Sequence, residues 1–216
     1  MLSLSNAGSF IKICGVTSIG DAHVVSEAGA DAVGLIFAQS SRQLSVEAAS
    51  EIASATKGSI LRVGVFRNNS TDFVLRCVDG SDVDAAQVHG TLPDELVTAL
   101  RSRHVAIIKA LSVESEEFFE FDDRKVDAVL VDGPAPGSGQ THAWHDLARR
   151  HFTRPVIAAG GLTDLNVVAV LETTNAWGVD VSSGVESAPG VKDPSSVRDF
   201  VRNARAYFDS RKELHG

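Results

Sequence analysis

Two side chains able to do acid–base chemistry, Lys12 and Cys14, lie two residues apart in the apolar stretch Phe10–Gly15. Because side chains alternate along a strand, Lys12 and Cys14 share one face, and Ile11 and Ile13 share the other. A cysteine acts as a base or nucleophile only as the thiolate, which a neighbouring cation such as Lys12 favours. Two plainer interpretations stay open, namely Cys14 as a small core residue and Lys12 as half of a structural ion pair.

Two further polar side chains come at the ends of apolar runs. Asp132 ends the run Ala128–Asp132, and the Pro- and Gly-rich loop 134–141 that follows is unsuited to a helix. The carboxylate therefore has no adjacent helix to cap, which favours a chemical role. Gln87 and His89 share one face of another run, and a hydrogen-bonded structural histidine is the alternative interpretation of His89.

Several groups could bind an anion. Arg42 lies in a polar loop, and a guanidinium matches a carboxylate through two parallel hydrogen bonds, although a solvated surface arginine is the more common case. Asp180 lies in the last apolar run, which ends near Ser183-Gly184, and Gly160-Gly161 follows the run before it. Backbone N–H groups in turns after the last two strands bind phosphate in many barrels.

Short strand-like runs alternate with amphipathic segments along the whole chain. The runs are Ile11–Cys14, Ala32–Phe37, Leu61–Phe66, Ala85–His89, Ala106–Ala110, Ala128–Asp132, Val156–Ala159 and Gly178–Val181. The helical segments are Ile19–Ala28, Val46–Ala55, Thr71–Cys77, Asp94–Arg101, His142–Arg150, Asp164–Leu171 and Ser195–Phe208. Nearly all-apolar strands in strict alternation predict a parallel sheet buried on both faces. Eight units in 216 residues predict a (β/α)8 TIM barrel that forms one domain over residues 1–216.

The unit between the fifth and sixth strands is the weakest. Its stretch Glu114–Asp123 is acidic and contains Phe118 and Phe119, so we expect a loop or an irregular helix there. A doubly wound open sheet is the alternative fold, but it usually has fewer strands. In a barrel the active site lies at the carboxyl ends of the strands, where Cys14 and Asp132 would meet.

Composition limits the classes of function. The chain is 44% hydrophobic and 22% charged, and no apolar run approaches the roughly 20 residues of a membrane span. Its first residues lack the plan of a signal peptide, and Cys14 and Cys77 are far apart, so we expect a reduced, cytoplasmic protein that binds no membrane. The net charge of −8 argues against nucleic-acid binding. An anionic substrate would need local hydrogen-bond donors.

A metal site is the least supported alternative. His142 and His145 lie one helical turn apart, with His151 nearby, but no carboxylate is suitably placed beside them. We expect a solvated helix face and no metal.

These motifs together resemble phosphoribosylanthranilate isomerase, an enzyme of tryptophan biosynthesis, along nearly the whole chain. The matching stretches are Lys12–Thr17, Ala28–Gly34, Val63–Phe66, Gln87–Gly90, Val131-Asp132, Ala159–Leu162, Gly178–Glu186 and Pro189–Asp193. The first and the last two are specific to the family.

The resemblance implies an Amadori rearrangement without a cofactor. An aminoaldose, phosphoribosylanthranilate, becomes the aminoketose 1-(2-carboxyphenylamino)-1-deoxyribulose 5-phosphate, which is an aldose–ketose isomerisation. By this resemblance Asp132 is the general acid that opens the furanose ring to a Schiff base. Cys14 is the general base that removes the C2′ proton. Arg42 holds the anthranilate carboxylate, His89 contacts the substrate, and Asp180 reaches the sugar hydroxyls.

The same resemblance assigns the phosphate to the backbone around Gly160-Gly161 and Ser183-Gly184, and gives Lys12 a supporting role. The acid must be protonated and the base ionised when substrate binds, so their surroundings must push the two pKa values apart. Oligomeric state stays open between monomer and homodimer.

The chain departs from the family pattern in two loops. Pro136–Gly139 replaces the usual Gly-Gly-Thr-Gly, and Ser41-Arg42 lacks the proline of Ser-Pro-Arg. Both changes bear on substrate binding and loop motion more than on the reaction.

Three other functions remain as alternatives. The related isomerase of histidine biosynthesis uses two aspartates, and Cys14 stands where the first would be. A dual-substrate isomerase is less favoured. A barrel that binds a phosphorylated metabolite without catalysis would not need both proton-transfer residues.

Overall fold

Eight parallel strands close into a barrel in which each strand pairs with its neighbours in sequence order. The computed structural model describes residues 8–133, 144, 147 and 150–215, with side chains to residue 211. The strands are β1 (Phe10–Cys14), β2 (Ala32–Ile36), β3 (Leu61–Arg67), β4 (Ala85–His89), β5 (Ala106–Ser112), β6 (Ala128–Asp132), β7 (Val156–Ala159) and β8 (Gly178–Val181). The predicted barrel is confirmed, and pairing of β1 with β8 excludes the open sheet.

Helices cover the outside of the barrel. The described helices are α1 (Ile19–Glu27), α2 (Val46–Ala55), α3 (Thr71–Ser81), α4 (Asp94–Ser102), α5 (Glu117–Glu120), α6 (Val167–Thr174) and α7 (Pro194–His215). Ser18, Ser45 and Ser70 cap the first three by accepting a backbone N–H two to three residues inside each helix. None of the helices in this described set is long and apolar enough to cross a membrane.

The alternation of side chains along β1 is as the sequence predicts. Lys12 lies between Ala32 of β2 and Asp180 of β8. Ile11 and Ile13 belong instead to the apolar layer between the sheet and the helices. A smaller apolar cluster fills the barrel interior; its members are Phe10, Ala32, Leu61, Val63, Ala85, Ile108, Ala110, Ala128, Leu130, Ile157 and Ala159. The polar interior residues lie above this cluster, towards the carboxyl ends of the strands.

The unit between β5 and β6 is irregular, as predicted. It consists of the four-residue helix α5 and a 3-10 turn at Asp123–Lys125. Phe118 is fully buried beneath this segment. The buried Lys109 of β5 donates to Glu117 at 2.9 Å and to the carbonyl of Gly90 at 2.7 Å. A buried charge therefore fastens the segment where a full helix is lacking.

The predicted helices Thr71–Cys77 and Ser195–Phe208 are longer in the structure, as Thr71–Ser81 and Pro194–His215. Helix α6 begins at Val167 rather than Asp164, because the Asn166 side chain accepts the N–H of Thr163 and donates to the carbonyl of Gly161. These bonds hold the preceding residues as a turn. Most of the predicted helix His142–Arg150, including His142 and His145, and the whole loop 134–141 lie outside the described residues.

Candidate active site

A cavity of about 260 Å³ opens at the carboxyl ends of the strands. Seven of the predicted site residues line it: Cys14, His89, Asp132, Gly160, Gly161, Asp180 and Ser183. Lys12, Arg42 and Gly184 do not line it. A second cavity, of about 360 Å³, lies at the opposite end where β7 begins, and none of the predicted site residues lines it.

Cys14 ends β1 and is buried at the floor of the cavity. Gly34 of β2 makes room for it, since a Cβ at Gly34 would lie 2.7 Å from the Cys14 sulfur and 3.1 Å from Lys12 Nζ. The thiol and the ammonium therefore lie side by side above a glycine. Burial raises the pKa of Cys14, and the charges of Lys12 and Lys192 only partly oppose that rise. The cation acts in the expected direction, but desolvation outweighs it.

Lys12 forms an ion pair with Asp180, with 2.9 Å between Nζ and Oδ1. Neither side chain exposes more than 8% of its surface. Burial opposes the charged lysine, yet Asp180 and Cys14 together raise the pKa of Lys12. The ammonium is thus shared between a carboxylate and a sulfur. Asp180, expected to reach sugar hydroxyls, lines the cavity while holding this lysine.

Asp132 ends β6 on the other side of the cavity. Enclosure in the mouth of the barrel raises its pKa to about 6, and the charge of Asp180 adds to this rise. Lys12 and Arg67 act in the opposite direction. The carboxyl is still 40% exposed, so a ligand in the mouth can reach it. A carboxyl with this pKa exchanges its proton readily near neutral pH, which suits a general acid.

His89 lies beside the acid. Its Nδ1 is 3.7 Å from Asp132 Oδ2, and its Nε2 is 2.9 Å from Gln87 Nε2. Burial, with the charges of Arg67, Lys12 and Lys109, lowers the pKa of His89 to about 4, so the ring is neutral at neutral pH. With Gln87 donating to Nε2, the Nδ1–H faces Asp132.

Turns after β7 and β8 close the cavity. Gly160 and Gly161 have positive φ angles of 90° and 63°. A Cβ at Gly160 would come within 2.6 Å of the Gly133 carbonyl oxygen. Ser183 lines the cavity, whereas Gly184 packs so closely on the Leu162 carbonyl that any side chain there would collide with it. Glycine at these positions lets backbone approach backbone, and leaves the turns open to a ligand.

Arg42 reaches across the rim to Glu186, which begins the two-stranded ribbon β9 (Glu186–Ala188) and β10 (Val191–Lys192). Its Nε and Nη2 donate to the two carboxylate oxygens at 2.7 and 2.6 Å. Lys192, with no exposed side-chain surface, donates to the same carboxylate at 2.8 Å. Although burial opposes it, these bonds lower the pKa of Glu186. The chain Lys192–Glu186–Arg42 carries a net charge of +1.

The path of Arg42 depends on Gly15. A Cβ at Gly15 would lie 2.5 Å from Arg42 Cδ, and Gly15 has a φ of 72°. The arginine stem therefore crosses directly over the residue that follows Cys14. Sequence reasoning had not singled out Gly15, Gly34, Arg67 or Glu186. Only Arg67 had a local signal, because alternation from Val65 puts it on the cavity face.

Within the described part of the chain, no group of three or more His, Cys, Asp or Glu side chains could hold a metal ion. His142 and His145 lie outside that part.

Known proteins share both the sequence and the fold. A family model for N-(5'-phosphoribosyl)anthranilate (PRA) isomerase matches residues 11–203. N-(5'-phosphoribosyl)anthranilate isomerase from Rubrobacter xylanophilus is 40% identical over 203 residues, which cover 91% of this chain and 98% of that protein. The enzyme of the same name from Oceanobacillus iheyensis is 37% identical over 201 residues, with 91% and 97% covered.

Solved structures of enzymes with this name have the same fold as this chain. Phosphoribosyl anthranilate isomerase from Thermotoga maritima superposes with a TM-score of 0.80 at 35% identity, covering 92% of this chain and 99% of that one. A second structure describes that enzyme as dimeric. A further phosphoribosyl anthranilate isomerase, with a TM-score of 0.74 and 33% identity, covers 92% of this chain and 99% of that one, and is in complex with reduced 1-(o-carboxyphenylamino)-1-deoxyribulose 5-phosphate. The chain belongs to the N-(5'-phosphoribosyl)anthranilate isomerase family.

Proposed function

We propose that this chain isomerises N-(5'-phosphoribosyl)anthranilate to 1-(2-carboxyphenylamino)-1-deoxyribulose 5-phosphate, a step of tryptophan biosynthesis. The proposal is supported by one cavity lined by Asp132, Cys14 and residues of the turns after β7 and β8, and by the family match, which indicates the substrate. The reaction is an isomerisation with no net gain or loss of atoms or electrons, so the proposal needs no cofactor.

Asp132 is the general acid. Its protonated carboxyl donates to the furanose ring oxygen as the C1′–O bond breaks, and the nitrogen lone pair forms the Schiff base. A pKa of about 6 supports this role, because a carboxyl at its ordinary pKa would rarely be protonated near neutral pH. His89 stands beside this carboxyl and contacts the substrate.

Cys14 is the general base. Its thiolate takes the C2′ proton, and the electron pair of the C2′–H bond moves towards the Schiff base to give the enolamine. The enolamine then tautomerises to the ketone. Lys12 stabilises the thiolate from beneath, and Asp180 holds Lys12 while facing the sugar hydroxyls. Gly34 leaves the sulfur on the cavity side of the sheet.

Two anions of the substrate are bound at the rim. The turns at Gly160-Gly161 and Ser183-Gly184 receive the phosphate through backbone N–H groups. Arg42 receives the anthranilate carboxylate. Glu186 occupies the Nε–Nη2 edge of its guanidinium, so the substrate carboxylate meets the remaining Nη1 edge.

The single observation that carries the proposal is the pairing, in one cavity, of a carboxyl whose pKa is raised with a buried thiol next to an ammonium. The test is the decay of phosphoribosylanthranilate fluorescence, with substrate generated enzymatically in place from anthranilate and phosphoribosyl pyrophosphate. Rapid decay that disappears in Asp132→Asn supports the reaction and its acid. We expect Cys14→Ser to fold normally and to lose about 10²- to 10⁴-fold in kcat.

Other outcomes separate the alternatives. Binding of substrate without turnover would indicate a non-catalytic phosphometabolite barrel. If the protein turned over the aminoaldose of histidine biosynthesis but not phosphoribosylanthranilate, it would be the related isomerase of histidine biosynthesis. Near-normal turnover by Cys14→Ser would remove Cys14 as the base.

We further propose that residues 1–216 work as one domain in the cytoplasm, as a monomer or a homodimer. The relative from Thermotoga maritima is described as dimeric. Sedimentation equilibrium over a range of protein concentrations distinguishes the two states.

A further inference from the structure

Arg67 lies at the rim of the candidate active site. It is the last residue of β3, two positions beyond Val65, which lines the cavity. Because side chains alternate, Arg67 is on the same face as Val65. It pairs in register with His89 of β4, a second cavity residue. Arg67 is exposed and is not among the residues that line the cavity, so its side chain lies at the rim, beyond Val65.

The charge of Arg67 acts on the reacting groups. It lowers the pKa of both His89 and Asp132, which requires the guanidinium to be near them. In the described ranges, the Arg67 side chain has no hydrogen-bond or ion-pair partner, and its backbone N–H alone is bonded, to Asn69 at 2.9 Å. Arg42, in contrast, gives one edge of its guanidinium to Glu186. Among the described residues, the guanidinium donors of Arg67 are therefore all available to a ligand.

The barrel places Arg67 opposite the phosphate. Strands β3 and β7 are four strands apart in a closed ring of eight, so they lie on opposite sides of the mouth. The phosphate turns follow β7 and β8. A substrate with its phosphate at those turns extends its aromatic end across the mouth, towards β2 and β3. Arg67 ends β3, and the Arg42 guanidinium lies against Glu186 beyond β8, so the two cations flank the β1 and β2 side of the mouth.

We propose that Arg67 is a second carboxylate-binding residue, which selects substrates whose aromatic ring carries a negative charge. This inference rests on the proposed function, since it concerns the same substrate. The two oxygens of a benzoate carboxylate accept from two donors, one from Arg42 and one from Arg67. An aglycone with a neutral group at that position gains nothing from the second cation.

The test compares Arg67→Met with the control Arg76→Met, on two substrates. Arg76 is an exposed arginine of α3 in the same βα unit, with its guanidinium 6.0 Å above the Phe73 ring. The substrates are made by condensing ribose 5-phosphate with anthranilate or with its neutral amide. For the carboxylate substrate we expect Arg67→Met to lower kcat/KM by about 10- to 100-fold, mainly through KM. For the amide, and for Arg76→Met on either substrate, we expect a change within about twofold.

A second readout uses pH. The charged or titratable groups that face Asp132 are Asp180, Lys12, Arg67 and His89. Removal of the Arg67 charge raises the pKa of Asp132, so the limb of the kcat profile that reports this acid moves to higher pH. A merely structural arginine would leave that limb in place. Arg67→Lys retains the positive charge, so the limb should stay at its wild-type pH. Its KM should lie between those of the wild type and Arg67→Met.

The outcomes are distinct. Equal losses on both substrates, or an unshifted limb, would overturn the carboxylate role. An unchanged Arg67→Met enzyme on the carboxylate substrate would overturn this inference alone. An inactive wild-type enzyme would overturn the proposed function and the inference with it. Weakened inhibition by inorganic phosphate in Arg67→Met would assign the arginine to the phosphate instead.

Discussion

Lys12 Nζ lies 2.9 Å from Asp180 Oδ1 and beside the Cys14 thiol, so one buried ammonium serves two acidic neighbours. Because Asp180 already neutralises this cation, the lysine does not fully offset the cost of burying a thiolate. The pKa of Cys14 consequently stays above its ordinary value of 9.0, whereas that of Asp132 rises only to about 6. In the resting enzyme the acid is therefore mostly ionised, and the base mostly protonated.

This order of the two pKa values predicts the shape of the pH profile. Turnover needs Asp132 protonated and Cys14 ionised, which is the minority arrangement. Below the pKa of Asp132, raising the pH only ionises more Cys14, so kcat rises until pH 6 or thereabouts. Between the two pKa values, gain of thiolate offsets loss of carboxylic acid, and kcat is flat. It falls only above the pKa of Cys14.

The profile of kcat between pH 4 and 11 checks this expectation. The variant Cys14→Ser should lose the upper limb, because serine does not titrate in that range. A falling limb near pH 6 in the wild type would show the opposite order, with Cys14 ionised before Asp132.

Asp132→Asn should stabilise the protein at high pH while abolishing turnover. A group whose folded pKa is raised stabilises fully below its unfolded pKa of 3.8, and this contribution is lost as the pH rises through about 6. A rise in pKa from 3.8 to about 6 corresponds to about 3 kcal/mol. The 40% exposure of the side chain reduces the expected gain at pH 8 to about 1–2 kcal/mol.

Urea unfolding of Asp132→Asn at pH 8 and at pH 3 measures this difference, with no gain expected at pH 3. The exposed Asp122, whose pKa the Arg124 guanidinium lowers to about 2, gives the matched control. Asp122→Asn should change stability at pH 8 in the opposite direction. Lower stability of Asp132→Asn at pH 8 would contradict the raised pKa.

Gly34→Ala should damage catalysis through the position of the sulfur. The new Cβ would lie 2.7 Å from Cys14 Sγ and 2.9 Å from Cys14 Cα, so the thiol must move. A displacement of about 1 Å in a reacting group costs about 100-fold in rate. The control is Gly20→Ala in α1, where the nearest atom would be Ser18 Oγ at 3.8 Å. That change should add about 0.5–1 kcal/mol of helix stability and leave kcat unchanged.

Glu186→Gln should weaken substrate binding more than turnover. The amide cannot accept two charge-assisted bonds from Arg42, so the guanidinium loses its fixed position, and we expect KM to rise about tenfold. The control variant is Asp79→Asn, which breaks an exposed bidentate ion pair between Arg103 and Asp79. It should leave KM unchanged.

Glu186→Gln also leaves Lys192 buried without its carboxylate, which destabilises the fold. The double variant Glu186→Gln/Lys192→Met removes that unpaired charge. This double variant should be more stable than Glu186→Gln, whereas its KM should stay as high as that of Glu186→Gln. If KM returned to normal together with stability, Glu186 would have only a structural role.

The order of strands and helices was accessible from the sequence because it depends on local pattern. The runs Ala85–His89, Ala128–Asp132, Val156–Ala159 and Gly178–Val181 match the strands without adjustment. The start of α6 was not accessible. It depends on the Asn166 side chain, which bonds backbone groups on both sides of Leu162.

Site residues at strand ends were likewise predictable, since the barrel dictates where Cys14 and Asp132 meet. Contacts between distant loops were not. Arg42 and Glu186 are 144 positions apart, and only the folded ribbon brings them together. The role of Gly34 depends on where a sulfur on the neighbouring strand lies. The net direction of the Cys14 pKa also needed the structure, because it is a balance between burial and Lys12.

In the resting enzyme Cys14 holds its proton and Asp132 carries the negative charge, whereas in the reactive form these states are reversed. The reversal changes the electric dipole across the barrel mouth. The resting and reactive forms hold the same number of protons, and they differ by one negative charge that lies at β6 or at β1. Their ratio is therefore independent of pH, and is set by the burial of the two groups and by the charges of Lys12, Asp180 and Arg67 around them. A ligand that enters with its own dipole across the mouth changes this ratio, so the substrate takes part in creating the form of the enzyme that attacks it.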